Sequence, residues 1–272
     1  TKGRSPILQL ICYLDNIYKN IAMNDTTIEA VYLDFAKAFD KINHLVLLAK
    51  LSRLGIGGKL LGVIRSYLKG RKQFVKMGDA QSPSLDVTSG VPQGSILGPL
   101  LFIIYVSSLP DDISTMPFMF ADDTKLLSIR KQNEDSTLQR DLHYLENWCR
   151  EHFMEFNIDK CHVINFSNKN SNNLKLYGTF LDQSNVEKDL GVYVCDNMKW
   201  KEHIKIACTM ANKVLNLIKR NVGNQINSYH KLNLYNSIVL PILSYASPAS
   251  SPSKGDLTTI EHVQLRATIW IL

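Results

Sequence analysis

Two apolar runs in this chain each end on aspartate. The first is Val31-Tyr32-Leu33-Asp34, continuing Phe35-Ala36-Lys37-Ala38-Phe39-Asp40. The second is Met116-Pro117-Phe118-Met119-Phe120-Ala121, which leads into Asp122-Asp123. A buried strand that delivers a carboxylate at its end, twice over, can hold divalent metal through hard oxygen donors. Magnesium takes a few such ligands and keeps its other positions for water or substrate phosphates. Two ions about 3.5–4 Å apart can clamp the attacking and the leaving oxygen of phosphoryl transfer.

Each half of this signal is weak alone, because an Asp-Asp pair usually marks a turn. Asp111-Asp112, between Pro110 and Ile113-Ser114, is such a turn. Asp122-Asp123 differs in having apolar residues on both sides, with Leu126, Leu127 and Ile129 resuming after it. Strand, two-residue acidic turn and strand predict a hairpin with its carboxylates at the tip. Between the two acidic sites lies Ser89-Gly90-Val91-Pro92-Gln93-Gly94-Ser95-Ile96-Leu97-Gly98-Pro99. In isolation it reads as a Gly/Pro connector. Its glycines also let backbone approach a ligand closely.

The elements that must position these groups can be read from periodicity. Ser5 and Pro6 predict an N-cap and first helical residue, followed by Ile7, Leu10, Ile11, Leu14, Ile17 and Ile21 at helical spacing. Residues 28–33 predict a strand ending at Asp34. Asn43 caps a helix through Leu54 that Gly55 closes, and a second helix spans about 59–69. Residues 72–77 and 85–88 form a hairpin, and Pro99 opens an apolar helical segment as a first-turn proline. A long amphipathic helix places Leu138, Leu142, Leu145, Cys149 and Phe153 on one face. Strands follow near 161–166, 175–177 and 190–194, split by the polar stretch 167–173. From Trp200 the pattern is helical, with Ile204, Ala207, Val214 and Ile218 on one side and breaks at Pro241 and 247–253. This order predicts an α+β fold: an antiparallel sheet with packed helices, then a helical region.

The ordered segments YLDFAKAFDKINH, SGVPQGSILGPLLF and FADDTKL, with Asn157-Ile158-Asp159-Lys160-Cys161 and Lys188-Asp189-Leu190-Gly191-Val192 after them, resemble the palm motifs of reverse transcriptases from non-LTR (LINE-type) retrotransposons of the jockey and CR1-like branches. The resemblance runs from Gly3-Arg4-Ser5 through Ser244-Tyr245-Ala246-Ser247-Pro248. It implies a polymerase palm with partial fingers over residues 1–198 and a helical thumb-like region over 199–272. The implied activity is RNA-directed DNA synthesis, in which a primer 3′-hydroxyl attacks a dNTP. Asp34 and Asp122 would bind two Mg2+ ions (Mn2+ is a possible substitute), with Asp123 beside them. Phe35, Phe39, Gln93 and Gly94 match nucleotide-binding positions, with Phe39 as the ring that rejects a 2′-hydroxyl. Lys160 matches a lysine proposed to protonate pyrophosphate, and Leu190-Gly191-Val192 matches the primer grip. An RNA template and a DNA primer are the implied partners, and nuclear, target-primed synthesis the implied setting.

The formal net charge of +6 and the Lys69, Arg71, Lys72 cluster beside Tyr67 and Phe74 suit contact with a nucleic-acid backbone. Five cysteines without CxxC spacing predict an intracellular chain, and the longest apolar stretch is too short to span a bilayer. Gly55-Ile56-Gly57-Gly58-Lys59 fails as a phosphate loop, since Arg53 and Leu60 stand where glycine and Ser/Thr are needed. Cys149, His152, Cys161 and His162 fit a core better than zinc, and the Asn24-Asp25-Thr26 sequon lacks a secretory context. Ser107-Ser108 departs from the Asn-Asp usual in the family. The chain starts with Thr, and basic finger segments and an endonuclease domain are expected upstream in a parent protein. The alternative reading is therefore a catalytically inactive, nucleic-acid-binding remnant. On either reading, residues 1–272 alone are expected to bind primer–template weakly and extend it poorly.

Overall fold

The computed structural model describes residues 5–23, 25–131, 134–167, 173–223 and 226–272. Gly3-Arg4, Asn24 of the sequon and most of the polar stretch 167–173 lie outside these described residues. In chain order the elements are α1 (Pro6–Ile21), β1 (Thr26–Leu33), α2 (His44–Arg53), α3 (Gly58–Leu68), β2 (Lys72–Gln73), β3 (Lys76–Met77), β4 (Ala80–Gln81), β5 (Leu85–Asp86) and α4 (Leu97–Val106). Then come β6 (Met116–Phe120), β7 (Asp123–Lys131), α5 (Leu138–Glu151), β8 (His162–Asn165), β9 (Lys175–Leu176), β10 (Thr179–Phe180), β11 (Asp182–Gln183), β12 (Val186–Asp189) and β13 (Val192–Cys195). Helices α6 (Lys201–Val222), α7 (Ser228–Leu234), α8 (Leu240–Ser244) and α9 (Lys254–Ile271) complete it.

Two compact units divide the chain: Thr1–Ile28, Ile164–Lys169 and Gln183–Leu272 form one, and Glu29–Val163 with Asn170–Asp182 the other. The division differs from a single cut after residue 198. The N-terminal helix and the β12–β13 hairpin both group with the C-terminal helices.

The second unit is built on a five-stranded sheet in the order β11-β8-β1-β7-β6. Central β1 is buried at every position after Thr26, which is why it reads as a continuous apolar run rather than an alternating one. Glu29 inside that run is fully buried, and Arg130 of β7 answers its charge at 3.3 Å. Lys125 Nζ, also on β7, lies 6.0 Å from the Tyr32 ring. Position falls along β7 as it rises along β1, so the two strands are antiparallel. On the other side of β1, Phe166 N–H donates to Ile28 O and Asn157 N–H to Asp34 O, which sets residues 157–166 antiparallel to it as well.

Helix α2 starts where Asn43 accepts from the Leu45 and Val46 amides, and ends ahead of Gly55 at φ 83°. Helix α5 turns Leu138, Leu142, Leu145, Trp148 and Cys149 into the core. Phe153, expected on that face, lies beyond the helix end in left-handed backbone and is 61% exposed. Pro99 is the third residue of α4, not the first, because the helix already begins at Leu97 with Ser95 Oγ accepting from the Gly98 amide. The expected hairpin over 72–88 forms as two short ladders, β2 with β5 and β3 with β4. No helix among the described residues is long and apolar enough to cross a membrane.

In the first unit α6 buries Ile204, Cys208, Ala211, Leu215 and Ile218. Ala207 and Val214, predicted on that stripe, are only half-buried on its margin. Helix α6 packs against α9, which buries Val263, Ala267 and Trp270 and opens with a capping box between Ser253 and Asp256. Trp200 Nε1 donates to Tyr18 Oη of α1 at 3.0 Å.

Lys50 on α2 ties three helices of the second unit together. Its Nζ donates to Tyr105 O at 2.5 Å and to Ser108 Oγ at 2.7 Å, and it lies 5.2 Å from the Trp148 ring. Ser108 also accepts from Trp148 Nε1, so the serine at this departure from the family pattern is part of the packing. Burial lowers the Lys50 pKa from 10.5 to about 8. Between those values the unfolded chain keeps a proton that the folded chain has released, so stability from this group rises with pH. Urea denaturation should show wild type gaining on Lys50→Met between about pH 8 and pH 10. A stability gap that does not move with pH contradicts the burial of a strained cation here.

Candidate active site

Strand β1 ends at Leu33, and Asp34 is the first residue to leave it, with a side chain 31% exposed. Its position is held from below and beside. The Phe35 ring stacks on Phe156 at 4.5 Å and meets Phe102 edge-on, while Ala36 N–H donates to Glu155 O and Asn157 N–H to Asp34 O. The turn at Ile158–Lys160 then brings Lys160 Nζ to 3.2 Å from Asp34 Oδ2. Lys160, which the resemblance matches to a lysine proposed to protonate pyrophosphate, thus touches the leading aspartate directly. Phe35 is 4% exposed with its ring in the core, so its side chain is not available to a nucleotide.

The antiparallel run of β1 and β7 brings Asp34 level with the β6–β7 connection. In that hairpin Phe120 pairs with Asp123, so the two turn residues are Ala121 and Asp122. The predicted acidic turn is displaced by one residue, since Asp123 already belongs to β7. Ala121 takes the left-handed conformation, φ 54°, that closes so short a turn. Asp122 is half-buried and Asp123 exposed. No three His, Cys, Asp or Glu side chains among the described residues gather closely enough to hold a metal by themselves. Asp34, Asp122 and Asp123 therefore do not close into a three-carboxylate cluster. Cys149 and Cys161 lie in the core, where burial pushes their thiols up to about 12 and about 11. Protonated thiols of this kind are poor zinc ligands.

The Gly/Pro loop is clamped onto the segment that follows Asp34. Gly90 N–H donates to Ile42 O, Val91 N–H to Phe39 O and Ser89 Oγ to Asp40 O, while His44 Nε2 meets Gly90 O at 2.7 Å. Gln93 Nε2 donates to Asp40 Oδ1 at 3.2 Å. Phe39, half-buried, stacks on Phe102 of α4 at 4.9 Å. Gly94 is exposed with φ 78° and open space around it.

Loop and clamp face a cleft of about 530 Å³ lined by Lys37, Asp40, Arg71, Lys72, Gln73, Asp86 and residues 87–93. Arg71 and Lys72 of the predicted basic cluster belong to this lining and Lys69 does not. Lys37, Asp40 and His44 carried no expected role, although all three lie inside the YLDFAKAFDKINH segment. For Asp40 and His44 the signal is contact with residues about fifty positions away, which periodicity does not register.

In the first unit Leu190 and Gly191, at φ 47° and 87°, form the turn between β12 and β13. Tyr245 Oη donates to Leu190 O at 2.7 Å, and its ring lies 3.0 Å from where a Gly191 Cβ would stand. The expected primer-grip residues are thus a tight turn buttressed by a tyrosine.

Gly90 offers a direct test of the clamp. At φ 85°, an added Cβ would stand 2.8 Å from Asp40 Cα, Asp40 O and Phe39 O. Gly90→Ala should cost about 2–3 kcal/mol, from left-handed strain and backbone clash together. An unchanged urea midpoint contradicts the close approach.

Residues 7–229 match the family model described as reverse transcriptase (RNA-dependent DNA polymerase). The chain is 30% identical over 228 residues to the RNA-directed DNA polymerase from mobile element jockey of Drosophila melanogaster, covering 79% of this chain and 25% of that one. It is 31% identical over 190 residues to the probable RNA-directed DNA polymerase from transposon BS of the same species, covering 65% and 21%. The chain thus spans a quarter or less of these relatives. Among solved structures, apo telomerase of Candida tropicalis superposes with a TM-score of 0.51 at 15% identity, over 71% of this chain and 38% of that one. Telomerase of Candida albicans in complex with a fragment of telomeric RNA gives 0.51 at 13%, over 96% and 50%. Those likenesses show a shared palm-type fold. With the family model covering most of its length, the chain belongs to the reverse transcriptase (RNA-dependent DNA polymerase) family.

Proposed function

We propose that this chain carries the polymerase centre of a non-LTR retrotransposon reverse transcriptase. It would join the α-phosphate of a dNTP to a primer 3′-hydroxyl on an RNA template and release pyrophosphate. Family members use divalent metal ions and act on a template and primer. The observation that carries the reading is the antiparallel run of β1 and β7, with Asp34 the residue after the end of β1 and Asp122 the residue before the start of β7.

Asp34 and Asp122 fit magnesium in kind: they are carboxylates at two adjacent strand ends, partly open to solvent. Magnesium usually needs only one or two protein carboxylates, with water and substrate phosphate completing its shell. Bound ions would supply the positive charge that favours ionisation of the 3′-hydroxyl and stabilises the transferring phosphoryl group. This chain's residues hold the reacting groups in place. Lys160, tethered to Asp34 at 3.2 Å, would give its proton to departing pyrophosphate. Phe39, stacked on Phe102, presents a rigid ring edge against a 2′-hydroxyl. Gln93 and Gly94 lie against the nascent base pair, and Leu190-Gly191-Val192 support the primer end. On this reading the unit with Asp34 is the palm with residual fingers, and residues 199–272 are thumb-like.

Asp34→Asn or Asp122→Asn should reduce dNTP incorporation by about 10²-fold or more while leaving the fold intact. The assay is primer extension, on residues 1–272 and on the same chain joined to the flanking segments of a jockey-type relative. Retention of more than about a tenth of the incorporation overturns the metal-site assignment. In the same assay Phe39→Val should raise rNTP use relative to dNTP use. An unchanged ratio returns Phe39 to a packing role alone.

A further inference from the structure

The β9–β10 hairpin turns through Tyr177 and Gly178, with Leu176 opposite Thr179. Both turn residues have positive φ, 51° and 80°, a geometry that asparagine and glycine hold most easily. A bulky aromatic residue at the first of these positions is strained, and such strain persists only where the surroundings enforce it. Helix α5 enforces it here. Gln139 brackets Lys175, accepting from its N–H at 2.8 Å and donating to its carbonyl at 2.9 Å. Farther along the same helix, Glu146 Oε1 accepts the Tyr177 N–H at 2.6 Å.

Held in this way, the half-buried Tyr177 side chain reaches the segment that packs beside Asp34. Buried Phe156 bridges Phe35 antiparallel, with the bonds from Ala36 N–H to Glu155 O and from Asn157 N–H to Asp34 O on either side of it. In such a pair the Phe156 N–H points away from its partner strand. A buried amide needs an acceptor there, and Tyr177 Oη provides it at 3.3 Å. The same hydroxyl bonds the Cys149 thiol. Burial above all, with Cys149 beside it, raises the phenol pKa, so the hydroxyl stays protonated. Residues 155–157 are thus held on one edge by residues 34–36 and on the other by Tyr177. They run directly into the Ile158–Lys160 turn, whose lysine contacts Asp34.

We propose that Tyr177 is a positioning residue for the polymerase reaction: by accepting the Phe156 amide it sets the Ile158–Lys160 turn, and so holds Lys160 against Asp34. The proposal rests on the polymerase reading and extends it to a side chain that touches neither metal nor substrate. Asparagine would relax the turn at position 177 but is too short to reach the Phe156 amide. The strained backbone and the long phenol belong together.

The test compares wild type with Tyr177→Phe, which keeps the ring and the turn and removes only the hydroxyl. Amide hydrogen exchange, read by NMR on residues 1–272, needs no activity. Phe156 and Asn157 should exchange at least about tenfold faster in the variant, while the amides of α6 exchange as before. In primer extension, with the chain joined to the same flanking segments, kcat should fall about three- to tenfold and the KM for dNTP should stay within about twofold. That loss should vanish in a Lys160→Met background, because Tyr177 acts through the lysine; a purely structural role would give the same factor in both backgrounds. Glu146→Ala, which frees the Tyr177 amide, should reproduce the pattern, and Glu146→Gln, which keeps an acceptor, should match wild type. Unchanged exchange at both amides, an unchanged kcat, or an equal loss with and without Lys160 overturns the proposal. A wild type that extends no primer fails the polymerase reading instead, and exchange alone then decides whether Tyr177 sets the turn.

Discussion

The pairing of β1 with β7 is the constraint on which the rest of the site depends. Antiparallel strands fix register along their whole length, so one buried ion pair, Glu29 with Arg130, propagates to the strand ends. A one-residue slip would break the Glu29–Arg130 pair inside the core and exchange the residues packed on the two buried faces of β1. The energetic demand for that register comes from burial: Ile28, Ala30, Val31 and Leu33 are each no more than 3% exposed. The aspartate reaches solvent because the strand before it cannot.

A second layer hangs from the residues after Asp34. The stack of Phe35 on Phe156 carries the Ile158–Lys160 turn, and the bonds from Ser89, Gly90 and Val91 carry the Gly/Pro loop. Two segments distant in sequence therefore meet around one short stretch, residues 34–42. Substitution within it should propagate to both Lys160 and Gln93, since their placement is relayed through backbone bonds rather than set locally.

Much of this was legible in the order of residues. The caps at Ser5 and Asn43, the helix stop at Gly55 and the continuous apolar run of β1 each follow from a local rule and appear as expected. The motif order identified the family because spacing between the acidic strands and the Gly/Pro loop is itself information. What escaped depended on tertiary contact. The turn slipped to Ala121-Asp122 because register across β6 and β7, and not composition, decides which residues close a hairpin. Phe153 looked like a helix-face residue by spacing, yet the helix ends two residues earlier, at Glu151. Ring burial at Phe35 and the bond from Gln93 to Asp40 have no periodic signature at all.

Paramagnetic broadening by Mn2+ in amide NMR spectra of the chain tests most directly whether Asp34 and Asp122 share one cation site. The account predicts that residues 33–36 and 121–124 broaden together at substoichiometric Mn2+, and that Asp34→Asn or Asp122→Asn alone removes the effect from both segments. Broadening of one segment without the other, or of neither, would contradict it.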